Sequence, residues 1–175
     1  MAGFYEQRDR DGNLIGWQAK VRKKGYPTQT RVFRSKREAQ EWAAIIESEM
    51  ARGVWKDRSE AESTTLGEAL DRYAKTITVS KKEQSSELSK IRQWQSRPIS
   101  KRFLSTIGGK ELAAVMREME AEGKSANTIR LHLAVFSHLY KIARTEWGMV
   151  SLDNPVEMVR KPKLPQGRDR RLADG

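Results

Sequence analysis

Histidines and clustered acidic residues are the side chains most able to support chemistry in this 175-residue sequence, which contains no cysteine. Without cysteine, thiol catalysis, disulfides and Cys-based zinc sites are excluded. His132 and His138 lie six residues apart, a spacing that does not place both on one helix face, and no third ligand is near. Glu118, Glu120 and Glu122 are interpreted as solvating side chains of an exposed helix surface. No phosphate loop, G-x-S-x-G elbow or zincin motif is present, so we expect no catalytic residue, no metal and no cofactor.

The distribution of charge favours a nucleic acid as partner. The net charge is +11, and residues 1–37 carry ten Lys or Arg against three Asp or Glu. Residues 38–64 are acidic, with seven Asp or Glu against three Lys or Arg, whereas residues 65–156 and 157–175 are basic again. This pattern predicts two basic modules and a basic tail, separated by an acidic segment. No apolar run is long enough for a membrane span and the N-terminus lacks a signal segment, so a soluble, cytoplasmic protein is expected.

The first module is predicted to be a three-stranded antiparallel sheet with one helix. Apolar and polar residues alternate from Trp17 to Arg22, which is typical of a half-buried strand. Turn residues flank it, and neighbouring strands are expected over residues 4–8 and 29–34. Ser35 and Glu38 form a capping-box pattern that opens a helix ending at Gly53. The sheet face away from the helix is expected to carry long hydrogen-bond donors: Gln18, Lys20, Arg22, Thr30 and Arg34.

The second module is predicted to be a bundle of four helices after a linker over residues 54–64. The helices are expected from Thr65 to about residue 77, over 83–97, over 110–122 and from Ser125 to about Gly148. The fourth is the most apolar and is predicted to be central. It carries two apolar stripes, the second of which is Leu131, Val135, Leu139 and Ile142.

These segments resemble a known family. Residues 16–22 (G-W-Q-A-K-V-R) and 33–42 (F-R-S-K-R-E-A-Q-E-W) are similar to the arm-type DNA-binding domain of phage integrases. Residues 123–133 (G-K-S-A-N-T-I-R-L-H-L), 143–148 (A-R-T-E-W-G) and 161–163 (K-P-K) resemble the core-binding domain of tyrosine recombinases. The resemblance extends over nearly the whole chain, and the order of the motifs makes it specific.

The resemblance implies a fold and a division into domains. It implies an α+β arm-binding domain over residues 1–53, the linker over 54–64, and an all-α, four-helix SAM-like core-binding domain over 65–160. Residues 161–175 would be a basic linker towards a catalytic domain that is absent here. In this family that domain carries the tyrosine nucleophile, so the nucleophile is expected beyond residue 175. The chain itself is then expected to bind double-stranded DNA without cutting it, and to self-associate on DNA.

The resemblance also implies which side chains contact DNA. On the first module the candidates are Gln18, Lys20, Arg22 and Arg34, with Tyr5 and Gln7 on the neighbouring strand. On the second module, where the second and fourth helices face DNA in this family, the candidates are Lys90, Gln93, Arg97, Lys101, Lys124, Asn127, Thr128, Arg130 and Lys141. In the tail they include Arg168.

Three alternatives remain open at this stage. Each candidate side chain could be an ordinary solvated residue. The basic charge fits RNA as well as DNA, and the Glu-rich helix over residues 36–51 could dock a protein partner.

Overall fold

The computed structural model describes residues 1–165, and the chain divides into two compact units, Met1–Lys56 and a unit beginning at Asp57. Arg168, a candidate DNA contact, lies outside the described residues. Within residues 1–165, no helix is both long and apolar enough to cross a membrane.

The first unit is an antiparallel sheet covered on one face by a helix. Its elements are β1 (Ala2–Arg8), β2 (Leu14–Val21), β3 (Gln29–Phe33) and α1 (Lys36–Ala51). The strands pair in the order β1-β2-β3, with β2 in the centre. This confirms the predicted three-stranded antiparallel sheet followed by one helix. In the turn between β1 and β2, Gly12 has a φ of 85°, a conformation that glycine adopts at little steric cost.

Local hydrogen bonds fix where α1 begins, and its apolar face fixes how it packs. The Glu38 N–H donates to Ser35 Oγ at 3.2 Å, and the Ser35 N–H donates to the Glu38 carboxylate at 3.4 Å. This reciprocal cap satisfies two N–H groups that would otherwise lack partners. The helix then buries one stripe against Ala19 and Val21 of β2, both fully buried. The stripe consists of Ala39, Ala43, Ile46 and Met50.

The regular elements of the second unit are helices in the described residues, apart from one isolated β-bridge between Thr65 and Phe103. Its helices are α2 (Ser59–Ser63), α3 (Leu66–Thr76), α4 (Ser85–Gln95), α5 (Gly109–Ala121) and α6 (Ala126–Thr145). Short 3₁₀ turns occur at Thr78–Ser80, Pro98–Lys101, Leu104–Thr106 and Pro155–Met158. The predicted helices coincide with α3 to α6.

Helix α6 lies at the centre of this unit and contacts α3, α4 and α5. Its aromatic residues form the middle of the core: Phe136 lies 4.8 Å from Trp94 of α4 and 5.0 Å from Tyr140, between ring centroids. The buried polar atoms of these rings are paired, because Trp94 Nε1 donates to the His132 carbonyl and the Tyr140 hydroxyl donates to the Leu104 carbonyl.

Two details differ from the sequence-based expectations. Residues 54–64 are not a uniform linker, because Trp55 packs edge-on against Tyr26 of the first unit and Ala61, within α2, is buried in the core of the second. One apolar side chain at each end of the segment, Trp55 and Ala61, is enough to pack that end onto a folded unit. Leu131, on the second predicted apolar stripe of α6, is 47% exposed, because the neighbouring helices leave its position uncovered while they bury Val135, Leu139 and Ile142 of the same stripe.

The segment after α6 returns along the helix. Asn154 Nδ2 donates to Ser137 Oγ at 2.8 Å, and Pro155 and Val156 are buried. Further along, Arg130 Nη1 donates to the Pro162 carbonyl at 3.1 Å. The chain therefore runs from the middle of α6 back towards its N-terminal end.

Candidate nucleic-acid interface

The face of the sheet opposite α1, called here the open sheet face, carries the candidate residues of the first unit. In the pairing register, Gln18 lies opposite Tyr5 on one side and Val32 on the other, and Lys20 lies opposite Gly3 and Thr30. Directly paired residues share a face, so these side chains form rows across three strands. Gln18 and Lys20 alternate with the buried Ala19, as the period of a strand requires.

Tyr5 has a defined position on the open sheet face. A Cβ atom placed on Gly3 would lie 2.8 Å from the Tyr5 hydroxyl, so the tyrosine ring lies directly over the glycine. Lys20 and Arg22 line the same shallow depression of about 180 Å³. The structure thus brings an aromatic hydroxyl and two cations together at one end of the sheet.

Arg34 lies at the other end of this face. Arg34 follows Phe33, which pairs with Trp17, so Arg34 is level with Gly16 of β2. Gly16 and Arg22, the residue just after β2, are six residues apart. At the rise of a strand this separates the two arginines by about 20 Å. Within residues 1–165, the side chains of Gln18, Lys20, Arg22 and Arg34 make no hydrogen bond or ion pair, which leaves them available to a ligand.

In the second unit, the structure gathers part of the candidate set between α4 and α6. This group, called here the α4–α6 cluster, consists of Lys90, Gln93, Arg97, Lys124 and His132. Lys124 Nζ donates to Gln93 Oε1 at 3.0 Å. Lys90 Nζ donates to the hydroxyl and carbonyl oxygens of Ser86, one turn earlier on α4.

His132 lies buried beneath these cations. Burial, and then the positive charges of Lys124, Lys90 and Arg97, lower the pKa of the His132 imidazole to about 4. Its Nδ1 atom is buried and has no hydrogen-bond partner within residues 1–165. No function is predicted for this histidine from the sequence, and the packing of α4 together with the turn before α6 places it near three cations.

Arg97 is the candidate with the strongest protein contacts. Its guanidinium lies 3.2 Å from Glu118 and 2.8 Å from Glu122, both on or next to α5, and only 11% of its side chain is exposed. The bond from Arg97 also lowers the pKa of the Glu122 carboxyl. The interpretation of Glu118 and Glu122 as purely solvating residues is therefore wrong.

The remaining candidates lie along the exposed side of α6 or beside it. Thr128 lies in the first turn of α6, where its N–H donates to Oγ of the N-cap residue Ser125. The neighbouring Asn127 is exposed. Arg130 contacts the Pro162 carbonyl. Lys141 is exposed but lies fourteen residues after Asn127, or about 21 Å at the rise of a helix. Lys101 is exposed in the 3₁₀ turn after α4.

The absence of acidic residues from the α6 segment identifies the exposed side of this helix more directly than any individual residue does. From residue 123 to residue 145 there is no Asp or Glu, while there are four Lys or Arg and two His. Each of α3, α4 and α5 contains carboxylates. The outward side of α6 is thus cationic without compensating acids on the same helix.

A second polar network lies elsewhere in this unit. The Tyr73 hydroxyl is 2.6 Å from His138 Nδ1 and accepts a hydrogen bond from Lys81, which also pairs with Glu87. Burial is the largest influence on the pKa of His138 and lowers it. The network ties α3, α4 and α6 together. Among residues 1–165, no group of three or more potential ligands is arranged to hold a metal ion.

Comparison with known proteins finds relatives of this chain among DNA recombinases and integrases. Over 115 residues the chain is 43% identical to the shufflon-specific DNA recombinase of Escherichia coli, an alignment that covers 62% of this chain and 30% of that protein. Over 156 residues it is 30% identical to a Haemophilus influenzae protein named as an integrase/recombinase, covering 89% of this chain and 40% of that protein. The chain thus spans less than half the length of these relatives. No family model matches it.

A solved structure is similar in fold. The crystal structure of a lambda integrase dimer bound to a COC' core site aligns with a TM-score of 0.52 and 23% sequence identity. The alignment covers 92% of this chain and 46% of that chain.

Proposed function

We propose that this chain, a homologue of integrases and DNA recombinases, supplies double-stranded DNA binding to a site-specific recombinase of the tyrosine class. The observation that carries the proposal is the presence of one cationic surface on each unit: the open sheet face, whose candidate cationic side chains make no hydrogen bond or ion pair within residues 1–165, and the α4–α6 cluster with the exposed side of α6. The two surfaces would bind two kinds of DNA site, arm-type on the sheet and core-type on the helices. DNA breakage would require a tyrosine and its activating residues from another segment of the recombinase.

On the first unit, the open sheet face is the proposed contact with an arm-type site. A sheet of this width fits the DNA major groove, which is about 12 Å wide. Gln18 lies centrally on this face and is assigned to base edges. Lys20 and Arg22 at one end, and Arg34 at the other, are assigned to bases or to the flanking phosphates. Tyr5, held over Gly3, would donate its hydroxyl to a phosphate.

On the second unit, the α4–α6 cluster and the exposed side of α6 are the proposed contact with a core-type site, in a SAM-like core-binding domain. Lys90 and Lys124 are assigned to phosphates, and Asn127 and Thr128, at the N-terminal end of α6, to bases or phosphates. Arg130 and Lys141 extend the phosphate contacts along the helix. Arg97, bound to two carboxylates, would support this surface by holding α5 against α4.

Self-association on DNA is part of the proposal. The structural relative is an integrase dimer bound to a core site, and recombination of two DNA sites requires more than one recombinase protomer. Sedimentation of the chain with and without duplex DNA measures this directly. Monomeric sedimentation on a duplex long enough for two protomers would remove this part of the proposal.

Binding to duplex DNA is tested by fluorescence anisotropy with a labelled duplex of about 40 base pairs. If about eight phosphates are neutralised, the affinity falls by about 10³–10⁵ between 50 and 200 mM salt. A structured RNA of equal charge is the competitor, and it is expected to displace the duplex poorly. Displacement by RNA at lower concentration than by duplex DNA would reject the proposal in favour of RNA binding.

A further inference from the structure

Asn127 and Leu131 form a pair of unlike side chains on the exposed side of α6. They are four residues apart, so they lie on one helix face, one turn from each other. Leu131 is 47% exposed, although most large apolar residues of this helix are buried. Asn127 is exposed, and its side-chain amide makes no hydrogen bond within residues 1–165. An unpaired amide and an uncovered aliphatic group are therefore presented side by side.

We propose that Asn127 and Leu131 together recognise one A·T base pair in the major groove, an inference that rests on the proposed binding of unit two to duplex DNA. An A·T pair presents the N6 donor and N7 acceptor of adenine next to the 5-methyl group of thymine. The amide of Asn127 has the donor and acceptor that match adenine. The side chain of Leu131 packs against the thymine methyl.

The surroundings of the pair favour DNA over a protein partner. Lys124 and Arg130 flank it, and no carboxylate occurs in the sequence from residue 123 to residue 145. Ala134, next along the exposed side, is small and allows the helix to approach a groove closely. A single exposed leucine, flanked by these two cations, buries too little apolar area to hold a protein partner.

The test uses the full chain and chemically altered bases. A duplex is first selected by the chain from a randomised pool of about 30 base pairs. Each thymine of that duplex is then replaced by deoxyuridine, which removes only the methyl group, and each adenine by 7-deazaadenine, which removes only the N7 acceptor. At one A·T pair, we expect the unaltered chain to lose affinity about fourfold for the uracil duplex, the equivalent of one methyl contact. The 7-deazaadenine duplex should bind at least fivefold more weakly.

Variants then assign each contact. Leu131→Ala should bind the thymine and uracil duplexes equally, while it still responds to 7-deazaadenine, and Asn127→Ala should show the opposite pattern. Val150→Ala is the matched control, because Val150 has the same 47% exposure and lies beyond the end of α6. It should respond to both altered bases as the unaltered chain does.

The outcomes separate this inference from the proposed function. If Leu131→Ala remains as sensitive to uracil as the unaltered chain, the inference is wrong while duplex binding stands. If Leu131→Ala instead abolishes self-association and leaves base discrimination intact, the exposed leucine is a protein contact and the inference is again wrong. If no duplex is retained even in dilute salt, the proposed function itself fails.

Discussion

Lys124 Nζ lies 3.0 Å from Gln93 Oε1, a contact that joins the residue just before the α6 cap to the last turn of α4. The two elements that carry the proposed core-site contacts are thereby connected at one point. Lys124 also lies 3.7 Å from Glu122, so its charge is only partly compensated.

Replacing Lys124 by alanine tests whether this point contacts phosphate. Lys124→Ala is expected to weaken binding to all duplexes alike and to reduce the slope of log affinity against log salt by about one, because one fewer counterion is released. The measurement is an anisotropy titration at several salt concentrations. Lys110→Ala is the control, since Lys110 is an exposed lysine in the first turn of α5, about 17 Å along that helix from the end that precedes Lys124. Equal slopes for both variants would count against a phosphate contact at Lys124.

Arg97 is expected to matter for stability more than for direct DNA contact. Arg97→Ala removes two charged hydrogen bonds from a guanidinium that is nearly buried, and should lower the free energy of unfolding by about 1–3 kcal/mol. Urea denaturation measures the change. Arg117→Ala, an exposed arginine on α5, should leave the stability within about 0.5 kcal/mol of the unaltered chain. A stable Arg97→Ala chain with strongly reduced DNA affinity would instead make Arg97 a DNA contact.

Gly3→Ala tests the position of Tyr5. The added Cβ would lie 2.8 Å from the Tyr5 hydroxyl, the far end of a side chain that can rotate away. Stability should therefore change by less than about 1 kcal/mol, while Tyr5 leaves its place beside Lys20 and DNA affinity falls. Arg37→Ala, on the exposed side of α1, is a control expected to bind DNA normally. Unchanged affinity of Gly3→Ala would mean that Tyr5 does not contact DNA.

His132 is expected to make stability depend on pH. Its pKa is about 4 in the folded chain against an ordinary value of 6.5, so the unfolded chain binds the proton more readily. The free energy of unfolding should thus fall as the pH decreases from 7, losing about 2–3 kcal/mol by pH 4.5 through this residue. The measurement is urea denaturation across that range. His132→Leu removes the titrating group and should give a flatter curve, whereas curves of equal steepness would show that other groups cause the dependence.

Arg130→Ala tests the contact with the returning segment. Loss of the bond to the Pro162 carbonyl should expose the neighbouring peptide bonds and speed cleavage by trypsin after Lys163. Mass spectrometry of the digestion products follows the rate. Arg144→Ala, later on the same helix, should leave the rate unchanged. Equal cleavage rates in both variants would show that Arg130 does not restrain this segment.

The parts of the fold set by short-range interactions were predictable from the sequence. The cap at Ser35 needs a carboxylate three residues later and forms as expected, and Thr65 is capped in the same way by Glu68. The alternation of apolar and polar residues in β2 also predicts that Ala19 and Val21 face α1. The same reasoning could not find the bonds from Arg97 to Glu118 and Glu122, because the partners are 21 and 25 residues away and meet only once α4 and α5 pack.

The candidate site was predictable as a set of cations, but not as an arrangement. A helical pattern identifies which residues of α6 are apolar, yet it does not say how wide a strip the neighbouring helices cover, so the exposure of Leu131 could not be predicted. Similarly, nothing in the sequence around His132 indicates that Lys90 and Lys124 approach it from another helix and from the preceding turn. Which of these side chains contact DNA remains a prediction.

Residues 154–162 are attached to α6 at two separate points. Asn154 is attached to the middle of the helix at Ser137, and Pro162 is attached near its start at Arg130. A tilt of this helix would displace both attachment points together, so residues 154–162 are expected to move with α6 as one body.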